Sequence, residues 1–341
     1  MRIEKRHLER LSGCYAVSVL KDGGSQKLLF ASEEREPCHI YDADTFLRQT
    51  VWDGPGGTMA MVQIPDADGS FLAIQNFFPI FQGKDAAIVR ADRRNGMWEV
   101  KTLLKLPYVH RFDLIPSNGR NYFLGAALCT DKRYTDDWSY PGRVCVGILP
   151  EDPNGRIEIK TLLDGLTKNH GCCPGMWKGR RTTFITSDEG AFAITPPEEF
   201  GGAWEVEKII DRPISDIALC DIDGDGQDEI ATIEPFHGGN FLINKFINGN
   251  WEIVYRYDKR AELLHAIWGG KLRNTAAFIG GCRGFGNKLF MIHYKDGVFK
   301  AAIIDKDIGF SNVAVAHGKD KDIILTANTE RGYGTVYIVT D

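Results

Sequence analysis

Seven segments of the sequence share one pattern, and this repetition constrains the fold more than any other feature. Each segment holds an apolar run, a turn and a second apolar run, rich in the β-branched and aromatic residues that favour strands. The segments begin near residues 13, 58, 109, 169, 215, 264 and 311, so successive starts lie roughly 45 to 60 residues apart. Repeats of about this length are typical of propeller or solenoid arrays. None has a helical apolar period, which favours an all-β protein.

The units also share an outer strand that opens with an aromatic residue, as at Trp98, Trp204, Trp251 and Phe299. The seventh unit has no such strand after residues 336–339. Residues 2–11 read like the outer strand of the third unit, so we predict that they complete blade seven and close the ring. Such closure leaves only short, protected sheet edges. The predicted fold is therefore an all-β, seven-bladed β-propeller, a single domain over residues 1–341, closed by its N-terminal strand.

Residues 221–229 form an acidic, glycine-rich loop with the sequence DIDGDGQDE. The oxygens of Asp221, Asp223, Asp225 and Glu229 could surround one hard cation, an arrangement that suits Ca²⁺. An EF-hand would need flanking helices, whereas apolar strands flank this loop. The loop predicts a structural calcium site, with a solvated acidic turn as the alternative. Its strand–loop–strand arrangement resembles the calcium loop of FG-GAP (integrin-α-type) propeller repeats.

Polar residues recur at the start of the first strand of each unit, which lines the channel in a propeller. That register contains Cys14, Met59, His110, His170, Asp216, His265 and Asn312. Three histidines and one aspartate on four consecutive blades would be costly to bury together without partners. We therefore expect His110, His170, His265 and Asp216 to form a catalytic site or to hold a second divalent metal at the channel mouth. The alternative is a structural polar plug.

A second polar register lies where the second strand of each unit ends. It contributes Glu33, Gln75, Asn76, Asp188, Glu234, His237, Arg283, Glu330, Arg331 and Tyr333. Arg283 and Arg331 could hold a carboxylate or an oxyanion, or could pair with rim carboxylates. The third unit has an insertion at residues 130–143, whose Tyr134 and Trp138 could stack on a sugar or simply pack the loop.

The repeat array, the acidic loop and the channel histidines together resemble the propeller carbohydrate lyases and the aldos-2-ulose (anhydrofructose) dehydratases. The resemblance implies β-elimination. This sequence departs from the polysaccharide enzymes of the group because it predicts no export signal, so we expect a small sugar, an oxidised keto-glycoside or uronide, in place of a polymer. The resemblance also implies that His110, His170 or His265 is the base or holds the cation, that Tyr134 or Tyr333 is the acid, and that Arg283 or Arg331 stabilises the oxyanion. It further implies substrate contacts from Asn76, Asp188, Glu234, His237, Trp138 and Glu330. A non-catalytic FG-GAP-type binding propeller, and a sugar hydrolase or isomerase at the same site, stay open as alternatives.

Composition limits the other function classes. The net charge of −5 gives no reason to expect a nucleic-acid partner, and no apolar run is long enough for a membrane span. The charged segment at residues 2–10 predicts no signal peptide, and the eight cysteines show no disulfide spacing. We therefore expect a cytoplasmic protein. The sequence does not specify its oligomeric state.

Overall fold

The strands form seven four-stranded antiparallel sheets arranged as the blades of a ring. The computed structural model describes residues 1–79, 81–284, 288–306 and 309–341. In those ranges every regular element is a strand, and no helix occurs that could cross a membrane. The predicted all-β, seven-bladed propeller is thus confirmed.

The blades follow one another around the ring in chain order, after a first strand, β1 (Arg2–Arg10). Blade one holds β2 (Cys14–Asp22), β3 (Ser25–Ser32), β4 (Cys38–Asp42) and β5 (Arg48–Trp52); blade two holds β6 (Met61–Gln63), β7 (Ser70–Gln75), β8 (Ala87–Arg94) and β9 (Met97–Lys105). Blade three holds β10 (Val109–Ser117), β11 (Arg120–Cys129), β12 (Pro141–Ile148) and β13 (Ile159–Leu166); blade four holds β14 (Gly171–Trp177), β15 (Arg180–Ser187), β16 (Gly190–Thr195) and β17 (Glu205–Ile210). Blade five holds β18 (Asp216–Cys220), β19 (Glu229–Glu234), β20 (Asn240–Ile247) and β21 (Asn250–Arg256); blade six holds β22 (Leu264–Leu272), β23 (Thr275–Cys282), β24 (Leu289–Lys295) and β25 (Val298–Asp305). Blade seven holds β26 (Asn312–His317), β27 (Asp322–Asn328) and β28 (Tyr333–Thr340), together with β1.

The N-terminal strand closes the ring as the sequence predicts. Strand β1 pairs antiparallel with β28, so that Arg2 lies opposite Thr340 and His7 lies opposite Thr335. A side-chain hydrogen bond of 3.0 Å joins Nδ1 of His7 to the hydroxyl of Thr335. Residues from the two ends of the chain therefore share one sheet, which covers an edge that β28 would otherwise expose.

The apolar core lies between neighbouring blades. Ile233 and Phe241 of blade five, for example, pack in one buried cluster with Phe278 and Phe290 of blade six. Gly280 is required at this contact, because a Cβ there would lie 2.4 Å from the Phe290 ring and 2.8 Å from the Phe241 ring. The first strands of neighbouring blades contact one another around the whole ring, and β26 of blade seven contacts β2 of blade one. This ring of inner strands positions the site described next.

Candidate functional site

Irregularities at the start of three inner strands place polar side chains in the channel. Tyr15 in β2, His110 in β10 and His265 in β22 each lie where the pairing register with the next strand shifts. A β-bulge of this kind adds an unpaired residue and redirects its side chain, and such bulges are common beside active sites. A β-bulge at the same position therefore places one polar side chain from each of blades one, three and six in the channel.

Two further histidines complete the cluster from blades four and five. His170 directly precedes β14, and its amide donates to the carbonyl of Thr186 at 3.0 Å. His237 lies in the loop after β19, where its amide donates to the Ser215 hydroxyl at 3.1 Å. The Nε2 atoms of His170 and His237 are 3.4 Å apart. Two nitrogen lone pairs facing each other at that distance repel, so a proton or a cation must lie between them.

Backbone carbonyls fix the tautomers of two of these rings. Nδ1 of His170 lies 3.2 Å from the Ser215 carbonyl, and Nδ1 of His265 lies 2.5 Å from the Ser311 carbonyl. A carbonyl oxygen can only accept, so each Nδ1 carries the proton and each Nε2 keeps its lone pair. Metal-binding histidines are usually oriented by this kind of contact.

The donor set fits a transition-metal ion. One ring nitrogen from each of His170, His237 and His265 lies within 4.8 Å of the other two. Three protein ligands with further positions open are typical of catalytic zinc sites, and imidazole also suits iron, nickel and copper. Asp216 does not join the cluster as a direct donor; its carboxylate lies 3.8 Å from Nδ1 of His170, on the side away from Nε2.

Tyr15 connects the cluster to His110. Its hydroxyl lies 3.3 Å from Nε2 of His265 and 3.4 Å from Nε2 of His110. Nδ1 of His110 is buried and makes no well-formed hydrogen bond within the described part of the chain. Its Nε2 faces the Tyr15 hydroxyl.

Arg111 spans the channel beside this pair. Its guanidinium donates to the Met59 carbonyl at 2.5 Å, to Oδ1 of Asn312 at 3.3 Å and to the Tyr15 hydroxyl at 3.5 Å. It thus connects blade three to blades one, two and seven. A second guanidinium, that of Arg283, donates to Oε1 of Glu33 at 3.4 Å. Both arginines place positive charge beside the histidines.

Burial keeps the four imidazoles neutral. It holds the pKa of His110, His170 and His265 well below 6.5, and nearby histidines and arginines lower it further. Burial, reinforced by Arg283, lowers the pKa of His237 to about 3. Neutral imidazole is the form that binds a metal or accepts a proton.

Burial shifts the pKa of the acidic groups upward, opposite to its effect on the histidines. Burial raises the pKa of Asp216 to about 7, against the influence of Arg111. It also raises the pKa of Glu33, although Arg283 opposes the effect. The Tyr15 hydroxyl stays protonated, because burial raises its pKa more than Arg111 lowers it.

The cluster lines a small cavity at the channel mouth. The cavity measures about 30 Å³ and is bounded by Tyr15, Glu33, Met59, Phe77, Phe81, His110, His170, His237, His265 and Arg283. That volume admits an ion with a water molecule or two. Pockets for small organic ligands usually measure about 300–1,000 Å³, so the site as it stands is too small for a sugar.

Three aromatic rings pack together at the cavity, and one of them, Phe81, lines it. Phe81, Trp138 and Phe236 come from blades two, three and five, with ring centroids 5.3–6.4 Å apart. The Phe236 ring stacks on His237 at 4.0 Å. Lys132 holds the insertion loop, because its ammonium lies 3.4 Å from the centre of the Trp138 ring and donates to the Thr135 carbonyl at 2.7 Å. We call Phe81, Trp138 and Phe236 the aromatic cap.

A larger pocket of about 500 Å³ lies on the outer surface, between blades three and four. Tyr122, Ile159, Phe200 and Trp204 form much of its wall. Among the described residues, the groups able to hold a metal ion occur in the channel cluster and in the acidic loop, not in this pocket. We therefore place the candidate site at the channel mouth despite its smaller volume.

The structure brings together only some of the predicted site residues. Five of them line the cavity: His110, His170, His237, His265 and Arg283. Trp138 packs against the lining residue Phe81, and Asp216 lies beside His170. Seven others lie away from the cavity: Asn76, Tyr134, Asp188, Glu234, Glu330, Arg331 and Tyr333.

Local contacts explain where several of these seven residues lie. Tyr333 packs edge-on against His7, with ring centroids 4.6 Å apart, in the outer half of blade seven. Glu234 accepts from Arg212 at 2.8 Å, and Asp188 pairs with Lys168 at 2.9 Å.

The other four are exposed on the surface. The Tyr134 side chain, in the insertion loop, is 60% exposed. Asn76, Glu330 and Arg331 are also exposed.

Sequence reasoning missed Tyr15 and Arg111. The expected position in blade one is Cys14, which corresponds to Val109 and Leu264 of blades three and six, whereas Tyr15 corresponds to His110 and His265 at the bulge. One signal was available in the sequence: Tyr15, His110 and His265 are each the second residue of an inner strand. Arg111 follows His110 directly and would point to the opposite face of a regular strand.

No protein-family model matches this chain, and no curated protein matches it. Solved structures do resemble it. The β-propeller domain of Cps50 (Swd1) from Myceliophteria thermophila is 11% identical, with a TM-score of 0.65, over 99% of this chain and 100% of that one. The PQQ-bound form of the aldose sugar dehydrogenase from Streptomyces coelicolor is 13% identical, with a TM-score of 0.49, over 100% of this chain and 99% of that one. At these identities the likeness to the first shows the propeller fold alone, and the second is too distant to support an argument.

Proposed function

We propose that this protein is a carbohydrate-active carbon–oxygen lyase or dehydratase that performs β-elimination on a small oxidised sugar. The observation that carries the proposal is the convergence of His170, His237 and His265 beside the Tyr15–His110 pair. This arrangement offers a metal site and a proton-transfer pair in one cavity. The substrate class, a keto-glycoside or uronide, rests on the resemblance to propeller lyases and dehydratases; the residue roles rest on geometry.

The three converging imidazoles would hold a divalent transition metal. Nitrogen ligands favour such ions over Ca²⁺ and Mg²⁺, which take oxygen ligands. The metal would supply Lewis-acid stabilisation of the oxyanion that forms when a proton is removed next to a carbonyl or carboxylate. The carbonyls of Ser215 and Ser311 orient two of the three rings for this role.

His110 and Tyr15 fit the roles of base and acid. His110 is neutral and its Nε2 can take the proton next to the carbonyl, so the C–H electron pair moves towards a new C=C bond. The C–O bond at the next carbon breaks, and the Tyr15 hydroxyl gives its proton to the departing oxygen. Transfer over the 3.4 Å between Tyr15 and His110 then restores both groups.

Two arginines favour an anionic intermediate in this cavity. The guanidinium groups of Arg111 and Arg283 are fixed by hydrogen bonds to Met59 and Glu33 before any ligand arrives. Preorganised positive charge of this kind stabilises a developing oxyanion with little reorganisation. Since the cavity measures about 30 Å³, a sugar can reach the histidines only when the aromatic cap moves.

The closed cavity favours one second candidate, a non-catalytic propeller in which the histidines hold a structural metal. His110, His170 and His265 are all at least 97% buried, as expected for a plug that joins the blades. This alternative predicts metal-dependent stability and no turnover.

One experiment separates the two candidates. The metal-loaded protein is incubated with a panel of keto-glycosides and uronides, and ultraviolet absorbance and mass spectrometry follow the formation of an α,β-unsaturated product. The lyase proposal predicts such a product with the parent and with His293→Ala, and a large loss with His110→Ala. His293 is the control because it lies on β24, the third strand of blade six, and does not line the cavity. Full metal occupancy with no turnover across the panel would instead support the structural plug.

A further inference from the structure

The centre of the acidic loop in blade five is taken by a lysine side chain. Lys245, on the neighbouring strand β20, places its ammonium 2.5 Å from Oδ2 of Asp223, 2.7 Å from Oδ2 of Asp225 and 2.8 Å from Oε1 of Glu229. These are three of the four side chains expected to bind calcium. An ammonium has three N–H donors, so each donor is matched by one carboxylate.

The fourth carboxylate is committed to the loop backbone. The two oxygens of Asp221 accept the amide protons of Gly224 at 2.8 Å and Gly226 at 3.0 Å. Oε2 of Glu229 likewise accepts the amide of Ile222 at 3.1 Å. All four acidic side chains thus have partners supplied by the chain itself.

We infer that Lys245 is a built-in substitute for calcium, so the loop of blade five is held by an intramolecular ammonium and requires no metal ion. The inference concerns the edge of blade five and is independent of the function proposed for the channel.

Burial and charge support this assignment. The Glu229 side chain is 1% exposed and the Lys245 side chain 23% exposed, so their interaction is partly shielded from solvent and salt. Burial lowers the pKa of Lys245, but hydrogen bonds to Asp223, Asp225 and Glu229 raise it more, and the net shift is upward. The three carboxylate contacts therefore favour the charged form of the ammonium.

A calcium ion would have to displace this tethered cation. The ammonium is part of the chain, so its placement costs no translational entropy, whereas a free ion loses that freedom on binding. Removal of the ammonium reverses the balance. Asp221, Asp223, Asp225 and Glu229 would then converge without a counter-ion, and oxygen ligands of this number and charge suit Ca²⁺.

The test is thermal unfolding of the parent and of Lys245→Met, each in EDTA and in excess CaCl₂. Methionine is unbranched and one heavy atom shorter than lysine, so it keeps most of the side chain and removes the charge. The parent should melt at the same temperature in both solutions. Lys245→Met should melt lower in EDTA and gain about 3 °C or more with calcium, because an ion that binds only the native state stabilises it by mass action.

Lys27→Met is the matched control. Lys27 also lies on a strand and pairs with a carboxylate, Asp42 at 2.7 Å, but not with a cluster. It should show no calcium response. A calcium-dependent gain in the parent that is lost in Asp223→Asn would overturn the inference, and so would a folded Lys245→Met that ignores calcium.

A direct binding measurement covers the case in which Lys245→Met does not fold. Calcium is titrated into the metal-free parent in a calorimeter. The inference predicts no binding heat; about one site per chain, absent in Asp223→Asn, would contradict it.

Discussion

The phenolic oxygen of Tyr15 lies 3.4 Å from Nε2 of His110, although 95 residues separate the two in the chain. Both side chains occupy a bulged position at the start of an inner strand, and His265 occupies a third. The ring of blades turns this repeated local feature into one cluster. A tyrosine–histidine pair thereby lies beside three converging histidines.

Tyr15→Phe should separate acid–base chemistry from metal binding. The substitution removes only the hydroxyl, which contacts the site, and leaves the ring between its neighbours. We expect turnover to fall about 10²–10⁴-fold, the usual contribution of a positioned acid or base. Elemental analysis should show the same metal content in the variant as in the parent. If the variant loses the metal together with its activity, the result counts against a proton-transfer role for Tyr15.

Stability should fall when the pH drops below about 6.5. The buried histidines have a lower pKa in the folded than in the unfolded state, so the unfolded chain binds more protons there and is favoured by acid. Each imidazole that stays neutral when folded should contribute about 2 kcal/mol less at pH 5 than at pH 7. Asp216, with its pKa raised to about 7, acts in the opposite direction.

His110→Asn isolates one part of this pH dependence. His110 is not among the three converging metal ligands, so the variant can be compared with the parent in EDTA. Urea unfolding at pH 5 and pH 7 should show a pH effect smaller by about 2 kcal/mol in the variant. An unchanged pH effect would mean that His110 is not held neutral in the folded state.

The aromatic cap should control access to the histidines. Trp138→Ala removes a ring that packs against both Phe81 and Phe236. Since each of the two lost aromatic contacts contributes about 0.5–1.5 kcal/mol, a chelator should remove bound metal about 5- to 150-fold faster. Trp204→Ala, in the outer-surface pocket, is the control and should leave the rate as in the parent. Equal rates in all three proteins would show that the cap does not limit access.

The N-terminal strand should be required for a stable ring. Deletion of residues 1–11 removes the strand paired with β28 and exposes its edge, so we expect insolubility or a fall in Tm of about 10 °C or more. Ile3→Ala, at an exposed position of the same strand, should change Tm little. A truncated protein that melts like the parent would contradict a stabilising role for the closure.

The repeat pattern predicts the fold well because buried strands appear in the sequence as apolar runs and the turns between them as polar or glycine-rich segments. The seven units, the closing strand and the shared register of His110, His170 and His265 all follow from it. Blade one shows its limit. The expected position there, Cys14, lies one residue before the bulge that Tyr15 shares with His110 and His265, and the apolar pattern does not mark which residue takes the bulge.

Contacts between distant residues set the other limits. The acidic loop alone predicts a cation site, but Lys245 lies 16 residues beyond Glu229 and reaches the loop only because β20 pairs with β19. Glu234 has the right register for the rim, yet Arg212 holds it elsewhere. The partners of a charged side chain depend on which residues the fold brings close to it, and they cannot be read from a single sequence.

The most direct test of the central claim is the metal content of the purified protein after loading with a divalent transition metal. We predict about one ion per chain, bound by three protein ligands. His237→Ala should lose it, while Tyr15→Phe and His293→Ala should keep it. A parent protein that binds no transition metal, or a His237→Ala variant that binds as tightly as the parent, would contradict a metal site at the channel mouth.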